Sequence, residues 1–82
     1  MATVFWSVRR YRVKVNSNDH NPPHVHAVGG GLEARFKLNC PNGPVECWDF
    51  YGPWRFLDLN ELAKEIADAL EDCCAKWNEI HG

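Results

Sequence analysis

The feature that most constrains the fold of this 82-residue chain is a change in the spacing of its apolar residues near position 58. Before that position, apolar and polar residues alternate with the two-residue period of a strand that buries one face. After it, apolar residues recur every three or four positions, as in an amphipathic helix. The sequence therefore predicts a sheet followed by a helix, within one domain over residues 1–82.

The alternation is clearest in three segments, residues 11–15, 24–27 and 32–38, and two further strands are predicted at 2–6 and 45–50. The Asn42-Gly43 pair is typical of a two-residue hairpin, which would place Cys47 opposite Leu38. The helix is predicted from Asp58, as N-cap, to Ile80. The expected fold class is α+β, a small antiparallel sheet of four to five strands with one long C-terminal helix packed on one face.

Alternation also predicts which side chains the helix leaves uncovered. If Val13, Val25 and Phe36 face the helix, their neighbours in each strand must face the other way. The predicted open face therefore carries Arg10, Arg12, Lys14, His24, His26, Arg35 and Lys37. Residues 1–40 hold six lysines and arginines against two acids, whereas residues 58–82 hold two against seven. This asymmetry favours an anionic partner for the sheet, although a solvated acidic helix beside a mildly basic sheet is an equally good explanation.

Composition and cysteine usage point to a cytoplasmic protein. No apolar run approaches the ~20 residues that span a membrane, and the first residues do not resemble a secretory signal. In a reducing compartment, the four cysteines are expected to be thiols rather than a disulfide framework. Cys73 and Cys74 are helix neighbours that cannot face one another, and the predicted hairpin does not join Cys40 to Cys47.

Residues 17–26, Ser-Asn-Asp-His-Asn-Pro-Pro-His-Val-His, contain the chemistry-bearing cluster of the chain. Histidine titrates near neutrality and is a common metal ligand. Pro22 and Pro23 stiffen the segment that leads into His24. His24 and His26 lie two apart in a strand and so point the same way, while Asp19 and His20 precede them in a loop.

Two hypotheses follow for this cluster. In the first, some of His20, His24 and His26, with or without Asp19, bind a divalent metal such as zinc, and three such ligands leave a position open for water. In the second, the same four residues catalyse phosphodiester cleavage without a metal, and the cations of the open face hold the phosphate. Those cations are Arg12, Lys14, Arg35 and Lys37. A basic face favours the second hypothesis, because it would repel a metal cation. A purely structural role for the histidines, as solvent-facing or loop-bracing side chains, is an equally good explanation of the cluster.

A third hypothesis concerns the aromatic residues of the segment after the hairpin. Trp48, Tyr51 and Trp54 are close together in the sequence, and exposed apolar patches commonly mark protein contacts. They are the candidate residues for docking a partner protein, although tryptophans are more often core residues.

The run N-D-H-N-P-P-H-V-H-A resembles the bacterial family called domain of unknown function 4160. The shared D-H-x-P-P-H-x-H motif comprises Asp19, His20, Pro22, Pro23, His24 and His26. The resemblance extends to Glu33-Ala34 in a strand and to a closing helix with Trp77 followed by polar residues. Residues 39–57 depart from the usual members.

This resemblance implies no established activity. It does suggest a genomic analogy, because genes of the family often neighbour those of another small family, domain of unknown function 2442, as a proposed toxin–antitoxin pair. The corresponding expectation is a toxin-like component that binds or cleaves RNA and has a small antitoxin-like partner protein. The alternative is a non-enzymatic domain that binds a metal or a protein.

Overall fold

The computed structural model describes residues 2–82, which form an antiparallel sheet and two helices. The five strands lie side by side in chain order: β1 (Ala2–Trp6), β2 (Arg12–Val15), β3 (His24–Gly29), β4 (Leu32–Lys37) and β5 (Glu46–Tyr51). Helices α1 (Phe56–Asp68) and α2 (Leu70–His81) follow. The α+β class and the five antiparallel strands confirm the predicted sheet.

The predicted long C-terminal helix is matched only in part, because the helical segment breaks at Ala69 into two helices. This residue has φ −106° and ψ 21°, and its N–H lies 3.1 Å from the carbonyl oxygens of both Glu65 and Ile66. No proline or glycine marks the break. Two shorter helices can follow the twisted surface of a sheet more closely than one straight helix. Neither helix within residues 2–82 is long and apolar enough to cross a membrane.

The start of the helix also differs from the prediction. Helix α1 begins at Phe56, and its N-cap residue, Arg55, makes no side-chain capping bond. Asp58 does not act as the cap. It is buried within the first turn, where Oδ1 lies 3.1 Å from Nη1 of Arg9 in the β1–β2 connection.

The core lies between the two helices and one face of the sheet, as the alternation predicts. Val25 and Ala27 of β3 and Phe36 of β4 are fully buried against this layer. Leu62 and Ile66 come from α1. Cys73 and Trp77 are the corresponding buried residues of α2. We call this side of the sheet the core face.

The two hairpins that flank β4 differ in length. Gly30 and Gly31, with φ of 56° and 80°, form a two-residue turn between β3 and β4. Such a turn requires positive φ at both positions, which glycine adopts without strain. The connection from β4 to β5 is longer than the predicted Asn-Gly turn. Cys47 therefore pairs with Phe36 rather than with Leu38, and a bulge follows in the register.

The cysteine prediction is also wrong for one pair, since Cys40 and Cys74 form a disulfide. They are 34 residues apart, Cys40 in the β4–β5 connection and Cys74 in α2. The spacing of the cysteines does not predict this pair, because the two elements are distant in sequence. Cys47 and Cys73 are free thiols. Disulfides persist mainly in oxidising compartments, so this bond does not support the expected cytoplasmic location. That location stays a prediction.

Candidate metal centre

His24 and His26 lie on the side of β3 opposite Val25 and Ala27, which we call the histidine face. We expected both rings to be open to solvent, and this expectation is wrong: the residues are only 3% and 7% exposed. The ring of His24 packs against Trp48 of β5 and against Trp77 of α2, with centroids 5.2 and 5.3 Å away. The end of α2 therefore reaches the edge of this face.

The hydrogen bonds of His24 fix its tautomer. Nδ1 lies 2.9 Å from the carbonyl oxygen of Pro22, which can only accept, so Nδ1 carries the proton. The lone pair of Nε2 then points toward Asp19, whose Oδ2 is 3.6 Å away. Burial lowers the pKa of His24 below its ordinary value of 6.5, and the bond to Pro22 and the Asp19 carboxylate offset only part of this effect. A neutral ring with a free Nε2 is the form that binds metals.

His26 lies between two carboxylates. Its Nδ1 is 2.9 Å from Oε2 of Glu33, and its Nε2 is 3.1 Å from both carboxylate oxygens of Asp19. Ionised carboxylates only accept hydrogen bonds. An imidazolium could satisfy both. Alternatively, a neutral ring could donate from Nδ1 to Glu33 while a cation takes the place of the second proton, between Nε2 and Asp19.

Asp19 is held in place by the backbone of its own loop. Its carboxylate accepts a hydrogen bond of 3.0 Å from the Asn16 N–H, and its own N–H donates to the Asn16 carbonyl. Burial alone would raise the pKa of this carboxyl. The Asn16 N–H, the hydrogen bond with His26 and the charges of the two histidines outweigh burial and lower the pKa below 3.8.

Asp19, His24 and His26 can each direct one ligand atom to a common point, and these atoms lie within 4.8 Å of one another. His20, the fourth predicted site residue, is exposed on the loop and does not belong to this group of described residues. Glu33 was not among the predicted site residues. The sequence could have indicated it, because Glu33 lies two residues from Arg35 in β4 and therefore faces the same side of the sheet.

The predicted phosphate-binding cations are engaged with neighbouring side chains. Arg35 forms a two-pronged pair with Asp49 through Nε and Nη2, which raises the pKa of Arg35 and lowers that of Asp49. The guanidinium carbon of Arg35 also lies 4.4 Å from the centre of the Trp48 ring. Lys37 approaches the same ring at 5.0 Å, and Arg12 donates to Thr3.

The expectation of a basic face that repels a cation therefore needs correction. Lys14 lies opposite His26 in the register, so cations do surround the histidines. Glu33, Asp49 and Asp19 place carboxylates among them, however, and two of these three contact His26 directly. Positive and negative side chains are interspersed at this site, so the charge of the face does not repel a divalent cation.

The three aromatic residues predicted to bind a partner have different environments. Trp48 and Tyr51 lie on β5, an edge strand, and are 37% and 64% exposed. Trp54 is half-buried. Its ring packs on Tyr11, with centroids 4.8 Å apart, and its Nε1 donates to the backbone oxygen of Glu33.

A comparison with protein families matches residues 11–78 to the family described as Domain of unknown function (DUF4160). The chain belongs to this family. The match covers β2 to β5, α1 and most of α2, and so includes the three candidate metal ligands of this DUF4160 domain. Searches of curated proteins and of solved structures find no match to the chain.

Proposed function

We propose that this DUF4160 domain binds one divalent transition metal, zinc in the first instance, through Nε2 of His24, Nε2 of His26 and the Asp19 carboxylate. The observation that carries the proposal is the convergence of these three atoms in a buried position. Two imidazoles and one carboxylate are a ligand set that zinc and iron(II) both use. Three protein ligands leave at least one coordination position for water or another ligand.

The distances within the group support this proposal. Zinc binds histidine nitrogen at about 2.0–2.1 Å, so the ligand atoms around a tetrahedral ion are about 3.3 Å apart. Oxygens of Asp19 lie 3.1 Å from Nε2 of His26 and 3.6 Å from Nε2 of His24. The Asp19 carboxylate is therefore already at coordination spacing from each ring, and the three ligand atoms lie within 4.8 Å of one another.

The surroundings of the ligands support it as well. In metal sites, a ligating histidine commonly donates its other N–H to a carboxylate or a backbone carbonyl. Glu33 is placed to accept from His26, and the Pro22 carbonyl accepts from His24. Both rings are thus oriented with Nε2 toward Asp19.

RNA binding or cleavage, and pairing with an antitoxin-like protein, stay predictions from the sequence and its resemblance. The contacts described above do not favour them specifically, because Arg35 is paired with Asp49 and the two histidines are buried. Metal binding is therefore the function that the geometry supports best.

The test is calorimetric titration of zinc into metal-free protein that carries no histidine tag. We expect one zinc per chain. His24→Ala and His26→Ala should each lower the affinity by more than about 100-fold, since loss of an outer partner alone costs ~10–100-fold. His20→Ala is the matched control and should leave the affinity unchanged. Absence of zinc binding, or equal losses in the His20 variant, would contradict the proposal.

A further inference from the structure

A cavity of about 440 Å³ lies beside the candidate metal site. The loop that carries Asp19, His20 and Asn21 forms one wall, and the C-terminal end of α2, with Trp77, Asn78 and His81, forms another. Small-molecule sites in proteins have volumes of about 300–1,000 Å³. The cavity is therefore large enough for a small ligand, but not for a folded partner or a nucleic-acid duplex.

Two residues connect this cavity to the metal ligands. Asp19 lines the cavity and is itself one of the three proposed ligands. Trp77 also lines the cavity, and its ring packs on His24 at 5.3 Å. His24 and His26 do not line the cavity, so a ligand there would approach the metal along the Asp19 carboxylate.

The charge of the cavity wall depends on the metal. Asp19 is the one formally charged side chain among the described residues that line it at neutral pH, and none of them is a lysine or an arginine. A divalent ion on Asp19 replaces the −1 charge of this carboxylate by +1 for the ion and the carboxylate together. The loaded cavity would then attract a single negative charge, whereas a polyanion would lack the cations it needs.

The remaining lining groups can form hydrogen bonds with such an anion. The side-chain amides of Asn21 and Asn78 can donate, and so can the ring of His20. His81 is less available, since its ring stacks on Trp77 at 4.0 Å and its Nε2 donates to the Asn16 carbonyl. It supports the wall of the cavity.

We infer that this cavity binds a small monoanion of the carboxylate class, with one carboxylate oxygen on the metal held by Asp19, His24 and His26. The inference rests on the proposed metal binding and gives that site its ligand. The ligand is a metabolite-sized carboxylate rather than a phosphodiester chain, because the cavity is small and its wall lacks lysine and arginine.

The experiment uses the full chain loaded with Co²⁺, whose visible absorption reports a change of ligands. Acetate is the probe, acetamide is its neutral isostere, and sulfate, which does not chelate Co²⁺, is the dianion for comparison. We expect acetate to shift the spectrum in a saturable way, and acetamide and sulfate to have little effect. Asn78→Ala should weaken acetate binding by about 2- to 10-fold, the value of one hydrogen bond. Asn60→Ala, on the exposed side of α1, is the matched control.

The possible failures can be told apart. If Co²⁺ binds with one ion per chain but acetate leaves the spectrum unchanged, the inference is overturned and the proposed metal site stands. The inference is also overturned if sulfate or acetamide acts as strongly as acetate, or if Asn60→Ala weakens binding as much as Asn78→Ala. If Co²⁺ does not bind at all, both proposals fall.

Discussion

Strand β3 carries two pairs of buried side chains that face opposite sides of the sheet. Val25 and Ala27 are fully buried on the core face, where they meet the helices. His24 and His26 are almost as deeply buried on the histidine face, where a loop, Trp48 and Trp77 surround them. The two pairs are buried to a similar extent, but Val25 and Ala27 make apolar contacts, whereas His24 and His26 also make hydrogen bonds.

On the core face, apolar surface is removed from water, which stabilises the fold by about 25 cal/mol per Å². On the histidine face, four polar ring nitrogens are removed from water, and each must have a partner to avoid a penalty. Pro22, Asp19 and Glu33 are hydrogen-bond partners of three of them, and the fourth, Nε2 of His24, faces Asp19 with its lone pair. The core face therefore stabilises the domain, while the histidine face holds a preorganised polar site.

The largest expected effect is therefore on stability and comes from the core face. Phe36→Ala should lower the free energy of unfolding by about 3–5 kcal/mol, because it removes a fully buried ring and leaves a cavity. His26→Leu should cost less, about 1–3 kcal/mol, since Asp19 keeps its bond from Asn16 and Glu33 is partly in solvent. Urea denaturation of the metal-free proteins measures both values.

When zinc is added to the same denaturation experiment, the histidine face should matter more than the core face for the gain in stability. At 100 times its Kd, zinc should stabilise the wild-type protein by about 2.7 kcal/mol. The same gain is expected in the milder core variant Phe36→Leu, and none in His26→Leu. If zinc stabilised both variants equally, the two faces would not be functionally distinct.

The sequence predicts the two faces well because alternation is a local property of each strand. It assigns Val25, Phe36, His24 and His26 to their correct sides without knowledge of the strand order. It does not predict how far each side is covered. The loop before β3 folds back over the histidines, which its closeness in sequence allowed us to expect. Their burial also depends on Trp48 and Trp77, which are distant in sequence and arrive from β5 and α2.

The other differences have the same cause. The Cys40–Cys74 disulfide depends on the path of α2 past the sheet, and Asp49 neutralises Arg35 only because β5 pairs with β4. The break at Ala69 carries no proline or glycine signal. Local patterns thus predict elements and faces, whereas charge balance, burial and cross-links depend on which elements become neighbours.

An effect of intermediate size is expected at Glu33, which orients a metal ligand without touching the metal. Glu33→Ala should weaken zinc binding by about 10- to 100-fold, because the Nδ1–H of His26 loses its acceptor. Glu33→Gln should restore much of the affinity, since an amide oxygen can still accept that bond. Calorimetry measures both, with Glu71→Ala on the exposed surface of α2 as the control. Similar affinities for the alanine and glutamine variants would mean that Glu33 does not position His26.

The smallest expected effect is a difference in chemical reactivity between the two free thiols, one of which lies on the core face. Cys73 is fully buried, and burial, together with the nearby Asp72 carboxylate, raises the pKa of its thiol to about 12. Cys47 lies exposed on β5. At pH 8, iodoacetamide should therefore label Cys47 but not Cys73 in the folded protein, and both in urea, as mass spectrometry would detect.

The sign of the pH dependence follows from the same thiol. Its contribution to stability is complete below the ordinary pKa of 9.0 and is lost as the pH rises from 9.0 toward about 12, because the unfolded chain ionises first. The variant Cys47→Ser leaves Cys73 as the one free thiol and makes its labelling easy to follow. If Cys73 were alkylated at pH 8 as fast in the folded chain as in urea, α2 would have to open readily. The core face would then be no more closed to solvent than the histidine face, and the contrast between the two would be lost.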